Sequence, residues 1–243
     1  MARILITGST EGIGRAAAVS LLDDGHDIVV HARNDGRLEV LDELVSRGAR
    51  PIVGDLADPD QVGDLGDQAA GMGPLDAVIH NAGVIDGAAL LPVNVVAPYL
   101  LTESVRATRL IYLSSSMHRG GRPDVGDADW SGGSKTVSYS DSKLLVTVLM
   151  AAVARRRPDV VSHAVDPGWV PTRMGGPSAS DDLALGHVTQ AWLATTNDLS
   201  ALVSGGYWHH QRRQTPHPAV NDEAFQDELL AALAEHTGVT LTP

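Results

Sequence analysis

The chain has 243 residues, of which 43% are hydrophobic and 20% charged, with a formal net charge of −12 at pH 7 and no cysteine. The acidic balance argues against binding along a nucleic-acid backbone, and the lack of cysteine excludes disulfides, thiol nucleophiles and thiolate metal sites. No run of about 18 uncharged apolar residues predicts a membrane span, and the first residues do not read as a signal peptide, so we expect a cytoplasmic protein without a membrane partner.

Short apolar runs alternate along the chain with longer segments of helical periodicity, the pattern of βαβ units around a parallel sheet. Strands are predicted at residues 3–6, 27–31, 50–53, 77–80, 109–113 and 160–165. Helices are predicted near residues 13–24, 36–47, 59–70, 93–106, 139–156, 181–196 and 221–236. Several strands are apolar on both faces, as in a sheet covered by helices on both sides. The sequence therefore predicts an α/β fold in which residues 1–243 form one domain around a doubly wound parallel sheet.

The first predicted strand runs through a glycine-rich turn directly into a helix. Gly8, Gly12 and Gly14 permit positive φ and close backbone approach, and the helix N-terminus presents free N–H groups to an anion. A tight turn without a ligand is the alternative, because 25 glycines make chance spacings common. The position after the first strand favours a dinucleotide phosphate site in a Rossmann-like sheet. The candidate cofactor-binding residues of this turn are Gly8, Ser9, Glu11, Gly12, Ile13 and Gly14.

Arg33 follows the second predicted strand, where a dinucleotide-binding fold meets the adenosine ribose. An acidic residue there favours NAD(H), whereas an arginine accommodates the 2′-phosphate of NADP(H). We therefore expect NADP(H) to be preferred and NAD(H) to be possible. A solvent-exposed arginine without a ligand is the alternative, and the carboxylate of Glu11 would repel a phosphate placed near it.

Tyr139 and Lys143 lie at the start of the helix predicted over residues 139–156. Residues four apart share one helix face, with Cβ atoms about 5 to 6 Å apart. A nearby ammonium favours the phenolate, so it would lower the tyrosine pKa and make the pair an acid/base couple. The alternative is a surface pair on an amphipathic helix. Ser115 follows the fifth strand, at the edge where ligands of open α/β sheets bind, and its hydroxyl could polarise a carbonyl there.

Taken in order, these motifs resemble the short-chain dehydrogenase/reductase family from residue 3 to about residue 210. The matching residues are Thr7-Gly8-x3-Gly12-x-Gly14, Asp55, Asn81-Ala82-Gly83, Asn94, Ser115, Tyr139-x3-Lys143, Pro167-Gly168 and Thr172. The segment from Ser114 to His118 is most similar to the retinol-dehydrogenase-like branch of that family.

The resemblance implies an oxidoreductase that interconverts a carbonyl and an alcohol by hydride transfer. Tyr139 would exchange a proton with the substrate oxygen, and Ser115 would hold that oxygen. Lys143 would lower the tyrosine pKa and bind the nicotinamide ribose, while Asn94 would support a water-linked proton path. The other implied cofactor contacts are Asp55 and Leu56 at adenine, Asn81, Ala82 and Gly83 at the adenosine side, and Pro167, Gly168 and Thr172 at the nicotinamide.

The chain departs from the family pattern between Gly83 and Asn94, where the usual helix is shortened. Pro98 lies in the remaining helical pattern and can end or kink it. The position of Asn94 is therefore open, and so is the family's usual helix-bundle interface, which leaves a homo-oligomer as one possibility.

We predict that the segments 116–138 and 168–190 select the substrate. Trp130, Trp169 and Met174 would contact the substrate there or pack in the core. No metal is expected, because His209 and His210 lack a third ligand at a suitable spacing. Two other functions remain open: a catalytically silent dinucleotide-binding sensor or scaffold, and a sugar-nucleotide epimerase or dehydratase, for which the chain is short.

Overall fold

The computed structural model describes residues 1–134 and 136–242. Within these ranges, one sheet contains β1 (Arg3–Ile6), β2 (Asp27–Ala32), β3 (Arg50–Val53), β4 (Leu75–His80), β5 (Ala107–Leu113), β6 (Val161–Asp166), β7 (Gly206–His209) and β8 (Arg212–Gln214). The spatial order is β3-β2-β1-β4-β5-β6-β7-β8. Neighbouring strands are parallel except for the antiparallel pair β7 and β8. The chain thus reverses its direction of growth between β1 and β4, where open α/β sheets form their ligand crevice.

Helices cover both faces of the sheet. They are α1 (Gly12–Asp23), α2 (Asp42–Ser46), α3 (Pro59–Gly71), α4 (Ala97–Ser104), α5 (Tyr139–Arg156), α6 (Val188–Thr195) and α7 (Glu223–Thr237). Because successive side chains of a strand point to opposite faces, Leu5 packs in the core beneath α3, α4, α5 and α7, while Ile4 and Ile6 pack beneath α1, α2 and α6. The predicted doubly wound fold is confirmed. Among the described residues, no helix is both long and apolar enough to cross a membrane.

The two strands at one edge of the sheet, β7 and β8, were absent from the sequence prediction. β8 has three exposed polar residues and therefore no apolar alternation. It pairs with β7 through a two-residue turn in which His210 and Gln211 have φ values of 46° and 58°. Such turns usually contain asparagine or glycine. The pair His-Gln gives no such signal, so the hairpin was missed.

Three predicted helices differ from the structure. The segment 36–47 consists of the 3₁₀ turns Asp35–Arg37 and Glu39–Leu41 followed by the short α2, and the segment 181–196 is helical only in α6 apart from one 3₁₀ turn. The segment 93–106 begins as a π-helical turn, Pro92–Val96, before α4. Pro98 does not end this helix, because the chain stays helical from the π-helical turn through α4 to Ser104.

Candidate active site

A cleft of about 440 Å³ opens at the carboxyl edge of the parallel strands. Most of the predicted site residues line it: Gly8, Glu11, Gly12, Ile13, Gly14, Arg33, Asp55, Leu56, Asn81, Ala82, Gly83, Tyr139, Lys143, Pro167 and Thr172. Its volume falls within the usual range for ligand sites, roughly 300 to 1,000 Å³. Ser9, Asn94, Ser115 and Gly168 are not among the lining residues. The fold therefore gathers motifs from six parts of the chain around one cavity.

The glycine turn leaves no room for side chains at its closest approach to β4. A Cβ atom on Gly14 would come within 2.3 Å of Asn81 Nδ2 and 2.5 Å of the Gly8 carbonyl oxygen. Gly8 and Gly12 have φ values of +66° and +59°, in the left-handed region that favours glycine. Asn81 Nδ2 donates to the Thr7 oxygen at 2.8 Å, so the side chain ties the turn to the end of β4. These contacts hold open a backbone-lined cradle at the N-terminus of α1, suited to an anion.

Ser9 supports the glycine turn from within, because its side chain is fully buried and forms hydrogen bonds with the backbone. Its hydroxyl donates to the Ile6 oxygen and accepts from the His31 N–H at 3.2 Å. The His31 ring extends this support, because Nδ1 accepts from the Gly8 N–H at 3.0 Å and Nε2 pairs with the Gly54 oxygen at 2.8 Å. Both residues shape the cradle through its backbone.

Glu11 lies between two arginines at the mouth of the cleft. Its carboxylate is 3.5 Å from Arg37 and 3.7 Å from Arg173. These two positive charges offset the repulsion that Glu11 would exert on a phosphate. Arg33 is 70% exposed, with Nε 4.0 Å from the Asp55 carboxylate. These residues together give three arginines against two carboxylates.

Tyr139 and Lys143 occupy the first turns of α5, and their placement follows from a capping box. The Ser138 hydroxyl accepts from the Asp141 N–H at 3.1 Å, while the Asp141 carboxylate accepts from the Ser138 N–H at 2.8 Å. This cap fixes where the helix begins. Lys143 Nζ lies 5.6 Å from the centre of the Tyr139 ring and donates to the Leu113 oxygen at 2.6 Å. The ammonium is thereby anchored to the end of β5, beside the phenol.

Burial controls the ionisation of this pair. Burial and the Asp166 carboxylate raise the pKa of Tyr139 to about 12, although a hydrogen bond with Ser115 lowers it in part. Burial lowers the pKa of Lys143 to about 8. The net shift of the Tyr139 pKa is thus upward, opposite to the lowering that the sequence predicts, because desolvation and Asp166 dominate. Tyr139 is consequently a protonated phenol at neutral pH. The effect of Lys143 on this pKa stays a prediction.

Ser115 lies close to the phenol, since its hydroxyl lowers the Tyr139 pKa. The same hydroxyl accepts from the Met117 N–H at 3.2 Å. Ser114 is buried, pairs with the Thr147 hydroxyl at 2.7 Å, and lines the cleft. The choice of Ser115 over Ser114 as the serine that holds the substrate oxygen stays a prediction.

Asn94 lies in the π-helical turn and is buried. Its Oδ1 accepts from the Val84 N–H and its Nδ2 donates to the Val84 oxygen, both at 2.9 Å. A second bond from Nδ2 reaches the Ser142 hydroxyl at 3.0 Å. A Cβ atom on Gly83 would lie 3.3 Å from Asn94 Oδ1 and 3.5 Å from Lys143 Nζ. Although the segment between Gly83 and Asn94 is short, Asn94 therefore lies beside Lys143. Its hydrogen bonds connect the segment after β4 to α5.

The three apolar candidates for substrate contact occupy different environments. Trp130 packs in the hydrophobic core, whereas Met174 lines the cleft. Trp169 is 54% exposed, and its Nε1 donates to the Gly175 oxygen at 2.9 Å. Gly168 turns this segment with a φ of +83°, and its N–H donates to Asp166 Oδ1 at 3.0 Å. Met174 is thus the candidate that the structure places on the cleft wall.

Three further residues act on the site without having been predicted. His31 and Arg173 line the cleft, and Asp166 raises the Tyr139 pKa. Arg173 directly follows the motif residue Thr172, and this position in the sequence could have identified it as a residue of the cleft. The sequence contains no comparable signal for His31 or Asp166, because a histidine within a strand and an aspartate at a strand end are common in many contexts.

The comparisons with known proteins agree on one family. Its model, described as short chain dehydrogenase, matches residues 2–108. An uncharacterized oxidoreductase of Emericella nidulans is 36% identical over 257 residues, with 98% of each chain covered. The short-chain dehydrogenase chyC of Penicillium rubens is 34% identical over 257 residues, with 99% of each chain covered.

A solved structure supports the fold. The crystal structure of blue fluorescent protein from a metagenomic library, in complex with NADPH, has a TM-score of 0.71 at 22% identity. The alignment covers 86% of this chain and 95% of that one. At this identity the likeness shows a shared fold and nothing more.

Proposed function

The chain belongs to the short-chain dehydrogenase/reductase family and is an oxidoreductase, and from this we propose that it interconverts a carbonyl and an alcohol, prefers NADP(H), and uses Tyr139 as its acid/base. The observation that carries the proposal is the position of Tyr139 on the cleft wall, with the buried Lys143 ammonium 5.6 Å from the centre of its ring. A phenol with a pKa of about 12 holds its proton at neutral pH, ready for donation to a carbonyl oxygen.

The cleft fits a dinucleotide cofactor. Gly8, Gly12 and Gly14 leave the space that a phosphate group needs, and Asn81 Oδ1 is a buried acceptor without a hydrogen-bond partner among the described residues. The proposed contacts run from Arg33, Asp55 and Leu56 at the adenosine end, through the glycine turn and residues 81–83, to Lys143, Pro167, Gly168 and Thr172 at the nicotinamide end. When bound, the nicotinamide supplies or accepts the hydride.

The chain's own residues would handle the proton and the substrate oxygen. Tyr139 donates its hydroxyl proton to that oxygen during reduction and removes it during oxidation. Ser115 donates a second hydrogen bond to the same oxygen, which keeps it within reach of the phenol. Lys143 lies close enough to stabilise the phenolate that reduction leaves behind. Asn94 holds the backbone beside Lys143, where a water-linked path could return the proton.

Several side chains that line the cleft are apolar. Val84, Ala89, Val93 and Met174 contribute to its lining. Apolar walls favour a substrate whose body is apolar around a single reactive oxygen. We propose such a carbonyl compound or alcohol as the substrate class.

Replacing Arg33 with aspartate is expected to shift the ratio of Kd for NADPH to Kd for NADH about thirtyfold towards NADH, because a charge-assisted contact with the 2′-phosphate becomes a repulsion. Fluorescence titration with both cofactors measures the ratio. Arg212→Asp is the matched control, since Arg212 is an exposed arginine on β8 at the opposite edge of the sheet. An unchanged ratio in Arg33→Asp would refute the phosphate contact.

Replacing Asp166 with asparagine is expected to lower the pKa of Tyr139, because it removes a negative charge that disfavours the phenolate. Oxidation of an alcohol requires the phenolate, so the rising limb of its pH profile should move to lower pH by about half a unit to one unit. Asparagine retains an oxygen that can accept the Gly168 N–H bond. A profile that stays in place or moves to higher pH would contradict this role of Asp166.

A screen of ketones, aldehydes and secondary alcohols with NADPH, NADP⁺, NADH and NAD⁺ tests the proposed function. We expect turnover of at least one apolar carbonyl with NADPH. Binding of NADPH without turnover of any compound, in wild type and Tyr139→Phe alike, would favour a dinucleotide-binding sensor instead.

A further inference from the structure

His118, three residues after Ser115, is completely buried, and both of its ring nitrogens are bonded. Nδ1 lies 2.7 Å from the Ser115 carbonyl oxygen, to which it can only donate. Nε2 accepts from the His217 N–H at 3.0 Å. The ring also packs on Tyr207, with 4.5 Å between the ring centres. His118 thus bridges two distant segments of backbone, one of which carries the proposed catalytic serine.

This bonding pattern requires the neutral ring, because a protonated Nε2 would point its hydrogen at the His217 N–H. Burial lowers the pKa of His118, and Arg119 and His217 lower it further, whereas the Ser115 oxygen and Asp166 raise it. The bridge is accordingly intact at neutral pH.

The bridge acts on the backbone of Ser115. The Ser115 oxygen accepts from the His118 N–H at 3.1 Å as well as from the ring, so both groups close the turn that follows β5. Within this turn the Ser115 hydroxyl accepts from the Met117 N–H at 3.2 Å, and its effect on the Tyr139 pKa indicates that it lies close to the phenol. Resting on the proposed function, we infer that His118 is a positioning residue, which ties Ser115 to the segment after β8 and so holds the serine hydroxyl against the catalytic phenol.

His163 provides an internal control because it makes the same kind of bridge elsewhere. It is also buried, with Nε2 2.8 Å from the Ala201 oxygen and Nδ1 accepting from the Gly206 N–H at 3.0 Å. His163 is absent from the cleft lining. Loss of its carbonyl bond should affect folding in the same way without displacing Ser115.

Substitution of His118 by asparagine or by glutamine distinguishes its two hydrogen bonds, because each amide side chain can keep only one of them. His118→Asn can place its NH₂ group near the Nδ1 position and keep the bond to the Ser115 oxygen, whereas His118→Gln can place its oxygen near the Nε2 position and keep only the bond from the His217 N–H. His163→Asn likewise keeps the acceptor for Gly206 and loses the donor to Ala201. His118→Gln and His163→Asn therefore remove the same type of hydrogen bond.

The experiment compares these variants in steady-state reduction with NADPH. We expect His118→Gln to lower kcat about tenfold, the value of one positioning hydrogen bond, with the Kd for NADPH unchanged. His118→Asn should stay within about twofold of wild type, and His163→Asn should show a fall in Tm like that of His118→Gln without its loss of kcat. In a Ser115→Ala background, His118→Gln should cause no further loss of kcat.

Equal losses of kcat in His118→Gln, His118→Asn and His163→Asn would overturn the inference, as would full additivity with Ser115→Ala. An independent readout is hydrogen exchange at the Met117 amide, which donates to the Ser115 hydroxyl. Exchange should accelerate in His118→Gln but not in His118→Asn, and equal rates in both variants would overturn the inference. Because this readout needs no turnover, an inactive wild type would count against the proposed function alone.

Discussion

Replacement of Tyr139 with phenylalanine is expected to lower kcat for carbonyl reduction at least a thousandfold, because the substitution removes the proton donor and keeps the ring. General acid catalysis is worth roughly 10² to 10⁴ in rate. The Kd for NADPH should stay within about twofold, since most of the proposed contacts lie elsewhere in the cleft. Stopped-flow turnover and fluorescence titration of the same preparation measure both quantities.

The matched control for this substitution is Tyr112→Phe. Tyr112 is also a buried tyrosine with a hydrogen-bonded hydroxyl, 2.6 Å from the Thr102 hydroxyl, but it does not line the cleft. Its loss should reduce stability and leave kcat unchanged. Retained turnover in Tyr139→Phe, or an equal loss of kcat in Tyr112→Phe, would remove Tyr139 as the acid/base.

Replacement of Lys143 with methionine is expected to lower kcat at least a hundredfold and to raise the free energy of unfolding of the apoprotein at pH 7 by about 2 kcal/mol. The ammonium is 4% exposed and has no carboxylate partner among the ion pairs described. Among the described residues it makes one hydrogen bond, to the Leu113 oxygen, which offsets only part of the cost of burying it. Methionine fills a similar volume without that cost, so the site would gain stability as it loses activity.

The pH dependence follows from the pKa of Lys143, which is lowered from an ordinary value of 10.5 to about 8. Below about pH 8 the folded protein carries the full cost of the buried charge. As the pH rises from about 8 to 10.5, the folded protein loses that proton before the unfolded chain does, and the cost disappears. The stability advantage of Lys143→Met should therefore shrink across this window in urea unfolding. An advantage independent of pH, or a less stable variant at pH 7, would contradict this account of the lysine.

The sequence predicted the parts of the site that depend on local spacing. The glycine turn, with Gly8, Gly12 and Gly14, directly follows β1, and Tyr139 and Lys143 are one helical turn apart. Local spacing alone therefore predicts that the residues of each motif lie close together. The six strands from β1 to β6 were found because buried parallel strands are continuous apolar runs. β8, a polar edge strand of three residues, has no such run and was missed.

The sequence could not predict the effects that arise from contacts between distant segments. Glu11 looked unfavourable for a phosphate until the fold brought Arg37 and Arg173 to either side of it. The pKa of Tyr139 depends on burial and on Asp166, which is 27 positions away in the chain. Asn94 reaches Ser142 only because the π-helical turn packs against α5. Such contacts are set by tertiary packing, on which sequence spacing carries little information.

The transfer of deuterium from labelled NADPH to a carbonyl substrate tests the central claim most directly. NADPH carrying deuterium on either face of the nicotinamide C4 is incubated with the protein and an apolar ketone, and the alcohol is examined by mass spectrometry. We predict one deuterium on the carbinol carbon from one of the two labelled faces, and no labelled alcohol with Tyr139→Phe. Alcohol formed without deuterium from either face, or labelled alcohol formed equally by Tyr139→Phe, would contradict hydride transfer with Tyr139 as the acid/base.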